Sequence, residues 1–146
     1  MQRLDMTHLI GEREAGAVIA ATVVSHDTSY GLTLLNSPAG LWRVPTMTAA
    51  PGTQVQIRVR AGDVMLSTSP PTGISALNVF PATLVEIGQA HGASIDVKLD
   101  CNGCPMLAKL TRYSFDHMLL SPGVRVFALI KSVAIGKAFP ETYPRP

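Results

Sequence analysis

Two short segments of this chain combine small hydrogen-bond donors with a single cation. Residues 73–82 read Gly-Ile-Ser-Ala-Leu-Asn-Val-Phe-Pro-Ala, and residues 128–133 read Ala-Leu-Ile-Lys-Ser-Val. Neither segment contains a carboxylate or a histidine. Hydroxyls, backbone N–H groups and one ammonium are the groups that hold a compact anion by charge-assisted hydrogen bonds. The pattern therefore predicts an oxyanion-binding site placed at strand ends.

Catalytic motifs are missing from the sequence. It contains no Gly-x-x-x-x-Gly-Lys-[Ser/Thr] loop for nucleotide phosphates and no Gly-x-Ser-x-Gly nucleophile turn. The histidines stand apart from any candidate nucleophile: His8, His26, His91 and His117. Asp96 and Asp100 alternate on a predicted strand, a spacing typical of a solvated face. The sequence therefore favours binding over catalysis.

Two cysteines flank an Asn-Gly pair in the segment Cys101-Asn102-Gly103-Cys104. A C-x-x-C spacing can form half of a zinc site or a redox pair. Asn-Gly is also the strongest signal for a two-residue hairpin turn. No second C-x-x-C and no nearby His-x-x-x-His would complete a metal site. We therefore expect a hairpin and no metal bound directly by protein side chains.

Composition narrows the class of protein further. Of the 146 residues, 47% are hydrophobic and 15% are charged, which suits a chain that fills a core. The apolar runs are too short to span a bilayer, and no signal peptide is apparent, so a cytoplasmic protein is expected. A net charge of +2 without a basic cluster, with 5% aromatic residues, argues against nucleic-acid binding.

The chain repeats itself loosely. A Pro-Gly turn followed by an alternating strand occurs at residues 50–60 and again at 121–131, and residues 21–24 parallel 82–85. The repeat predicts two modules, 14–70 and 73–137, in which Arg60 and Lys131 are equivalent. The Pro-rich stretch at 69–73 would join the modules. Residues 1–13 are a lead-in segment, and residues 138–146 form a tail.

The strands that must position these donors are short and separated by turn residues. We expect one short helix within 111–119. The predicted fold class is all-β, with two small OB-like Greek-key barrel modules in tandem and one short helix. The predicted strands are 18–24, 30–35, 40–44, 54–60, 64–67, 78–87, 94–99, 106–110, 125–130 and 133–135.

Three motifs in order give the chain a family resemblance. The first is Ser-Ala-Leu-Asn at 75–78, followed by Ala-Thr-Leu-Val-Glu-Ile at 82–87. The second is Thr-Arg-Tyr-Ser at 111–114, and the third is Ala-Leu-Ile-Lys-Ser-Val after the Pro-Gly turn. Together they resemble the molybdate-binding Mop type of TOBE domain. Such domains occur at the C-terminus of the ATP-binding subunit of molybdate ABC importers and in small cytoplasmic molybdate-binding proteins.

The resemblance implies a function and a set of ligands. It implies that molybdate, or tungstate as a close mimic, binds as the only cofactor-like ligand and that the domain senses cytoplasmic molybdate. It implies a homodimer in which two chains share each site, and, within a longer subunit, an importer ATPase domain and membrane subunits at the inner face of the plasma membrane as partners. The implied oxyanion-binding residues are Ser75, Ala76, Leu77, Asn78, Thr111, Ser114, Lys131 and Ser132.

Leu77 departs from the family motif, which usually has arginine at this position. Two other interpretations therefore remain open: a TOBE-type dimerisation or regulatory module of an importer for another substrate, and an OB-fold nucleic-acid binder. The sequence is compatible both with a fragment of a longer subunit and with a protein that acts alone.

Overall fold

The computed structural model describes residues 15–137, and the lead-in and tail segments lie outside this range. Over these residues the chain forms ten strands and one short α-helix, as the alternating pattern predicts. The strands are β1 Gly16–Asp27, β2 Leu32–Ser37, β3 Gly40–Pro45, β4 Gln54–Arg60, β5 Val64–Ser67, β6 Asn78–His91, β7 Ser94–Cys101, β8 Cys104–Thr111, β9 Arg125–Ile130 and β10 Ala134–Lys137.

The strands form two five-stranded antiparallel sheets. The first has the order β10-β4-β1-β2-β3 and the second the order β5-β9-β6-β7-β8. Helix α1, Arg112–His117, follows β8, and Thr111 caps it by accepting a hydrogen bond from the Ser114 N–H. Among the described residues, none of the helical segments has the length and hydropathy needed to cross a membrane.

The internal repeat in the sequence has a counterpart in the backbone hydrogen bonds. In the first sheet, Gly52 N–H donates to Val23 O at 2.8 Å, and in the second, Gly123 N–H donates to Leu84 O at 2.7 Å. Gly52 and Gly123 both have positive φ, at 93° and 97°, which glycine adopts without a steric penalty. Each Pro-Gly turn therefore holds the strand that follows it against a long strand, which is β1 in the first sheet and β6 in the second.

The strands that end the two predicted modules exchange sheets. β5 follows β4 in sequence but pairs with β9 in the second sheet. β10 follows β9 but pairs with β4 in the first sheet. The side chains between the sheets form one continuous buried cluster, which includes Ile57, Trp42 and Leu84 at zero exposure. The division into 14–70 and 73–137 stays a prediction about the repeat, since each sheet takes a strand from both ranges.

β3 makes one of the contacts between the first sheet and the second. The rings of Trp42 on β3 and Phe80 on β6 pack with their centroids 4.6 Å apart. The Trp42 indole N–H donates to Ser37 Oγ at 2.9 Å, so the buried ring leaves no polar group unpaired. A side chain at Gly40 would meet the Phe80 ring at 3.1 Å, so this contact depends on the glycine. The start of β6 therefore lies against the outer edge of the first sheet.

Candidate functional site

A cleft of about 530 Å³ opens where β6 and β9 meet. Its walls come from the segment before β6, the end of β9, β5 and the edge of the first sheet. The lining residues are Leu32, Arg43, Pro45, Met65, Ile74, Ser75, Ala76, Leu77, Asn78, Leu129, Ile130 and Lys131. The cleft thus contains residues 74–78 of the first predicted segment and residues 129–131 of the second. It does not contain Ser132.

Backbone geometry gives this cleft hydrogen-bond donors. The stretch before β6 begins with Gly73 at a φ of 63° and runs outside the strand ladders up to Asn78. Within the part of the chain that the structure describes, the N–H groups of Ser75, Ala76 and Leu77 donate to no acceptor. All three residues line the cleft, so N–H groups that the fold leaves unpaired can donate to an acceptor-only ligand there.

Lys131 follows the last residue of β9. Its backbone N–H donates to Asp63 O at 2.8 Å, which fixes the chain where it leaves the sheet. Lys131 is exposed and lines the same cleft as Ser75, Ala76 and Leu77. No acidic residue is among the described residues that line this cleft. The local charge is therefore positive, and an anion would meet no repulsion there.

Asn78 has a different contact from the one that the sequence predicts. Its side chain is buried and clamps the edge strand β3: the Arg43 N–H donates to Asn78 Oδ1 at 2.7 Å, and Asn78 Nδ2–H donates to Arg43 O at 3.0 Å. The carboxamide oxygen and one N–H are therefore occupied by backbone. Asn78 lines the cleft, but its main contact joins the two sheets.

Ser132 lies in a second cleft, separate from that of Lys131. This cleft has a volume of about 500 Å³ and is also lined by Arg58, Arg60 and Asp63. Consecutive residues of an extended chain point to opposite sides, so neighbours in sequence reach different clefts. Arg60, the predicted counterpart of Lys131, lines this cleft together with the carboxylate of Asp63.

Thr111 and Ser114 lie at the start of α1 and line neither of these two clefts. Thr111 pairs with Ser94, next to the far end of β6 from Asn78. Its Oγ1 accepts the Ser114 N–H at 3.0 Å, which is the ordinary capping role of threonine. In one chain, these two residues therefore do not join the group around Lys131.

Arg43 is a charged residue that lines this cleft and that the sequence did not predict. It lies on β3 of the first sheet, and its side chain is exposed and reaches the same cleft as Lys131. The sequence holds no local signal for this placement, because the residue belongs to the other half of the repeat. The observation that reveals it is the clamp from Asn78.

The cysteines flank a hairpin turn, as the Asn-Gly signal predicts. Asn102 and Gly103 have φ values of 53° and 92°, and Cys101 pairs with Cys104 across the strands. Both thiols are free and buried. Burial raises the pKa of Cys101 to about 12, with smaller contributions from Cys104 and Asp100. Among the described residues, no group of three or more His, Cys, Asp or Glu side chains could hold a metal ion.

Comparisons with known proteins give the family that the chain resembles. Residues 74–135 match the family model of the TOBE domain. The chain as a whole is related to molybdenum import ATP-binding proteins. The relative from Mesorhizobium japonicum is 43% identical over 138 residues, which are 94% of this chain and 37% of that protein. The Azotobacter vinelandii relative is 40% identical over 136 residues, 92% of this chain and 37% of that protein.

The chain thus spans little more than a third of the length of these relatives. Among solved structures, it is similar to the cytoplasmic molybdate-binding protein ModG in a form with molybdate bound. The TM-score is 0.73 and the identity 22%, and the alignment covers 83% of this chain and 95% of that one. At this identity the likeness concerns the fold, and it confirms the predicted all-β class.

Proposed function

We propose that this chain is an oxyanion-binding regulatory region of a molybdate importer's ATP-binding subunit. Its ligand is molybdate, with tungstate as a close mimic, and its role is to sense the molybdate concentration in the cytoplasm. The observation that carries the proposal is that Lys131 lines one cleft with Ser75, Ala76 and Leu77, whose backbone N–H groups have no acceptor in the described chain, while no acidic residue is among the described lining residues. The names of the relatives support the choice of anion.

A tetrahedral dianion leaves water only if its hydrogen bonds are replaced. The N–H groups of Ser75, Ala76 and Leu77, the Ser75 hydroxyl and Lys131 provide that replacement. Hydrogen bonds to a charged group contribute roughly 1.5–3 kcal/mol each. Several of them, after the cost of association, are consistent with micromolar affinity, about −8 kcal/mol.

The partners follow from the size of the relatives. Because this chain matches just over a third of each, the proposed subunit also contains an ATPase domain and contacts membrane subunits at the inner face of the plasma membrane. In that setting, molybdate bound to the TOBE domain restrains further import. These roles belong to the longer subunit and not to the residues described here.

We further propose that two chains share each site. The cleft is open, and Met65, Ile74 and Leu77 at its rim are 59%, 45% and 54% exposed. A second copy that covers this rim would bury apolar surface and close the site around the ion. It could also bring its own Thr111, Ser114 or Ser132 to an ion that one chain only partly surrounds.

Calorimetric titration of the purified chain tests the function. We expect molybdate to bind with micromolar or better affinity and a single-stranded oligonucleotide to give no heat of binding. Sulfate is the control for a general anion effect, and it should bind more weakly than molybdate. Absence of molybdate binding, or equal affinity for all these ligands, would contradict the proposal.

One observation favours a second candidate, a TOBE-type dimerisation or regulatory module for another importer substrate. Leu77 provides no charge at the position where the Mop motif usually has arginine. This candidate predicts an oligomer of unchanged size with and without molybdate and no heat in the molybdate titration. The same experiment therefore separates the two.

A further inference from the structure

Arg43 is held at the cleft by the backbone of an edge strand. β3 lies at the edge of the first sheet and pairs with β2 on one side alone. On its other side, the Arg43 N–H and C=O both bond to the Asn78 carboxamide, at 2.7 and 3.0 Å. The Asn78 carboxamide thus pairs with Arg43 as a residue of a further strand would. It satisfies the backbone N–H and C=O that Arg43 presents at the open edge. This double contact fixes the Cα of Arg43 relative to the start of β6.

The packing below the clamp makes this placement rigid. Trp42, the residue before Arg43, is fully buried against Phe80 of β6. Side chains alternate along a strand, so the burial of Trp42 and Val44 turns Arg43 outward to the cleft. The position of the guanidinium group therefore depends on contacts between the two sheets and not on a surface loop.

The guanidinium group is available to a ligand. Among the described residues, no carboxylate, hydroxyl or carbonyl pairs with the Arg43 side chain, and no acidic residue lines its cleft. Lys131 lies in the same cleft. Two cations in one cleft balance a doubly charged anion, whereas Lys131 alone balances half of the charge. Arginine also offers two parallel N–H donors to adjacent oxygens of one oxyanion.

We propose that Arg43 is a direct anion-binding residue and supplies the second positive charge of the site, and that Asn78 is the residue that positions it. This inference rests on the proposed function, since it names a further ligand residue of the same site. It assigns the two cations to different sheets: Lys131 comes from the second sheet and Arg43 from the first. The site thus requires correct docking of one sheet on the other.

Titration with sodium molybdate tests the role of Arg43. Arg43→Gln keeps much of the side-chain volume and removes the charge, and we expect molybdate binding to weaken about tenfold to a hundredfold, the range of one charge-assisted hydrogen bond. Arg125→Gln is the matched control, because Arg125 is an exposed arginine that lines a different cleft. It should bind like the wild type. Leu77 is exposed and lines the cleft of Arg43 and Lys131. Leu77→Arg in the Arg43→Gln background should therefore restore part of the lost affinity.

The outcomes separate this inference from the proposed function. If the wild type binds molybdate and Arg43→Gln binds it equally well, the inference is wrong and the function stands. If the wild type does not bind molybdate, the function fails and the inference fails with it. A similar loss in Arg125→Gln would show an effect of net charge and would also contradict the inference.

A double-mutant cycle tests the positioning role of Asn78. Asn78→Ala should weaken molybdate binding in the wild-type background and have little further effect in Arg43→Gln, because both act through one guanidinium group. Thermal unfolding of each variant measures the structural cost of losing the clamp. Equal losses of affinity in both backgrounds would show that Asn78 does not act through Arg43.

Discussion

Lys131 and Ser132 are adjacent in sequence yet line separate clefts, and this separation determines which side chains can act on one ion. The Lys131 cleft holds a second cation and free backbone N–H groups, whereas the Ser132 cleft contains Asp63 beside Arg58 and Arg60. A carboxylate near an anion costs binding energy, because the two like charges repel. At the residue scale, the two clefts therefore differ in the charges of the residues that line them.

Replacement of Lys131 or Arg60 by alanine should show this difference between the two clefts. Lys131→Ala is expected to abolish most molybdate binding, and Arg60→Ala at the equivalent position should have little effect. Isothermal titration of both variants, with thermal unfolding to verify the fold, provides the measurement. Equal losses from the two exchanges would show that the site is placed in the wrong cleft.

The donor-rich character of the Lys131 cleft predicts anion selectivity. Molybdate and tungstate should bind similarly, because they have nearly the same size and carry no proton near neutral pH. Sulfate is smaller, so fixed donors would lie too far from some of its oxygens. Phosphate carries a proton that needs an acceptor, and neither the N–H groups nor the two cations can accept one.

Competition titrations against bound molybdate measure this order of affinities. Sulfate should displace molybdate only at a higher concentration than tungstate requires, and phosphate should displace it least of all. The Ser75 hydroxyl can accept a hydrogen bond, so Ser75→Ala is the variant that should reject phosphate further. Displacement by phosphate at concentrations close to those of tungstate would contradict the predicted preference for unprotonated anions.

The buried thiol of Cys101 predicts a loss of stability at alkaline pH. Its pKa in the folded protein is raised from 9.0 to about 12, chiefly by burial, so above pH 9 the unfolded chain releases a proton that the folded chain keeps. This contribution to stability is complete below pH 9 and is lost as the pH rises towards 12, with a slope of at most about 1.4 kcal/mol per pH unit. Urea unfolding of the wild type between pH 8.5 and about 10.5 should show a steeper decline than unfolding of Cys101→Ala. Identical slopes would contradict the prediction.

At the scale of elements, the exchange of β5 and β10 links the two sheets. β5 follows β4 of the first sheet but completes the second sheet. β10 follows β9 of the second sheet but completes the first. Ile135 on β10 pairs with Ile57 on β4 and packs against the shared core. The stability of the first sheet therefore depends on residues that lie next to Lys131 in sequence. This arrangement connects the Lys131 region of the second sheet to the strand that closes the first.

Ile135→Ala tests this dependence. We expect the free energy of unfolding to fall by about 1–2 kcal/mol, below the usual range for a fully buried isoleucine because Ile135 is half-buried. Native-state hydrogen exchange should rise most at Ile57 and Ile19 in the first sheet. Leu99 in the second sheet is the internal control. A larger rise at Leu99 than at Ile57 would mean that β10 does not stabilise the first sheet.

At the scale of the whole molecule, the proposed site is open to solvent on one side and framed by exposed apolar side chains. Met65, Ile74 and Leu77 form this frame. An apolar rim around a charged centre is suited to an interface that excludes water when it closes, which strengthens the interactions with the ion. Association of chains and binding of the ion should therefore promote each other.

Light scattering tests this association. We expect the chain to be a dimer at tens of micromolar, with molybdate shifting the equilibrium further towards the dimer. Met65→Asp places a negative charge on the rim and should favour the monomer, whereas Val85→Asp, at an exposed apolar residue that does not line the cleft, should not. A wild-type monomer with and without molybdate would contradict both the dimer and the shared site.

The sequence by itself determined the elements and their local chemistry. Short strand-forming runs bounded by turn residues located all ten strands within a few residues of their bounds, because both signals are local. The Asn102-Gly103 turn was equally local, since it depends on residues at most three positions apart. The residues around Ser75 and Lys131 line one cleft, whereas Ser132, Thr111 and Ser114 of the same predicted group do not line it.

Tertiary structure alone decided what lies opposite these donors. The exchange of β5 and β10, the separation of Ser132 from Lys131 and the approach of Arg43 all depend on which strands pair and on how the sheets dock. Pairing joins residues far apart in the chain, such as Asn78 and Arg43, and a strand's own pattern does not specify its partner. The second cation of the proposed site was therefore invisible in the sequence, because its position is set by contacts between the two sheets.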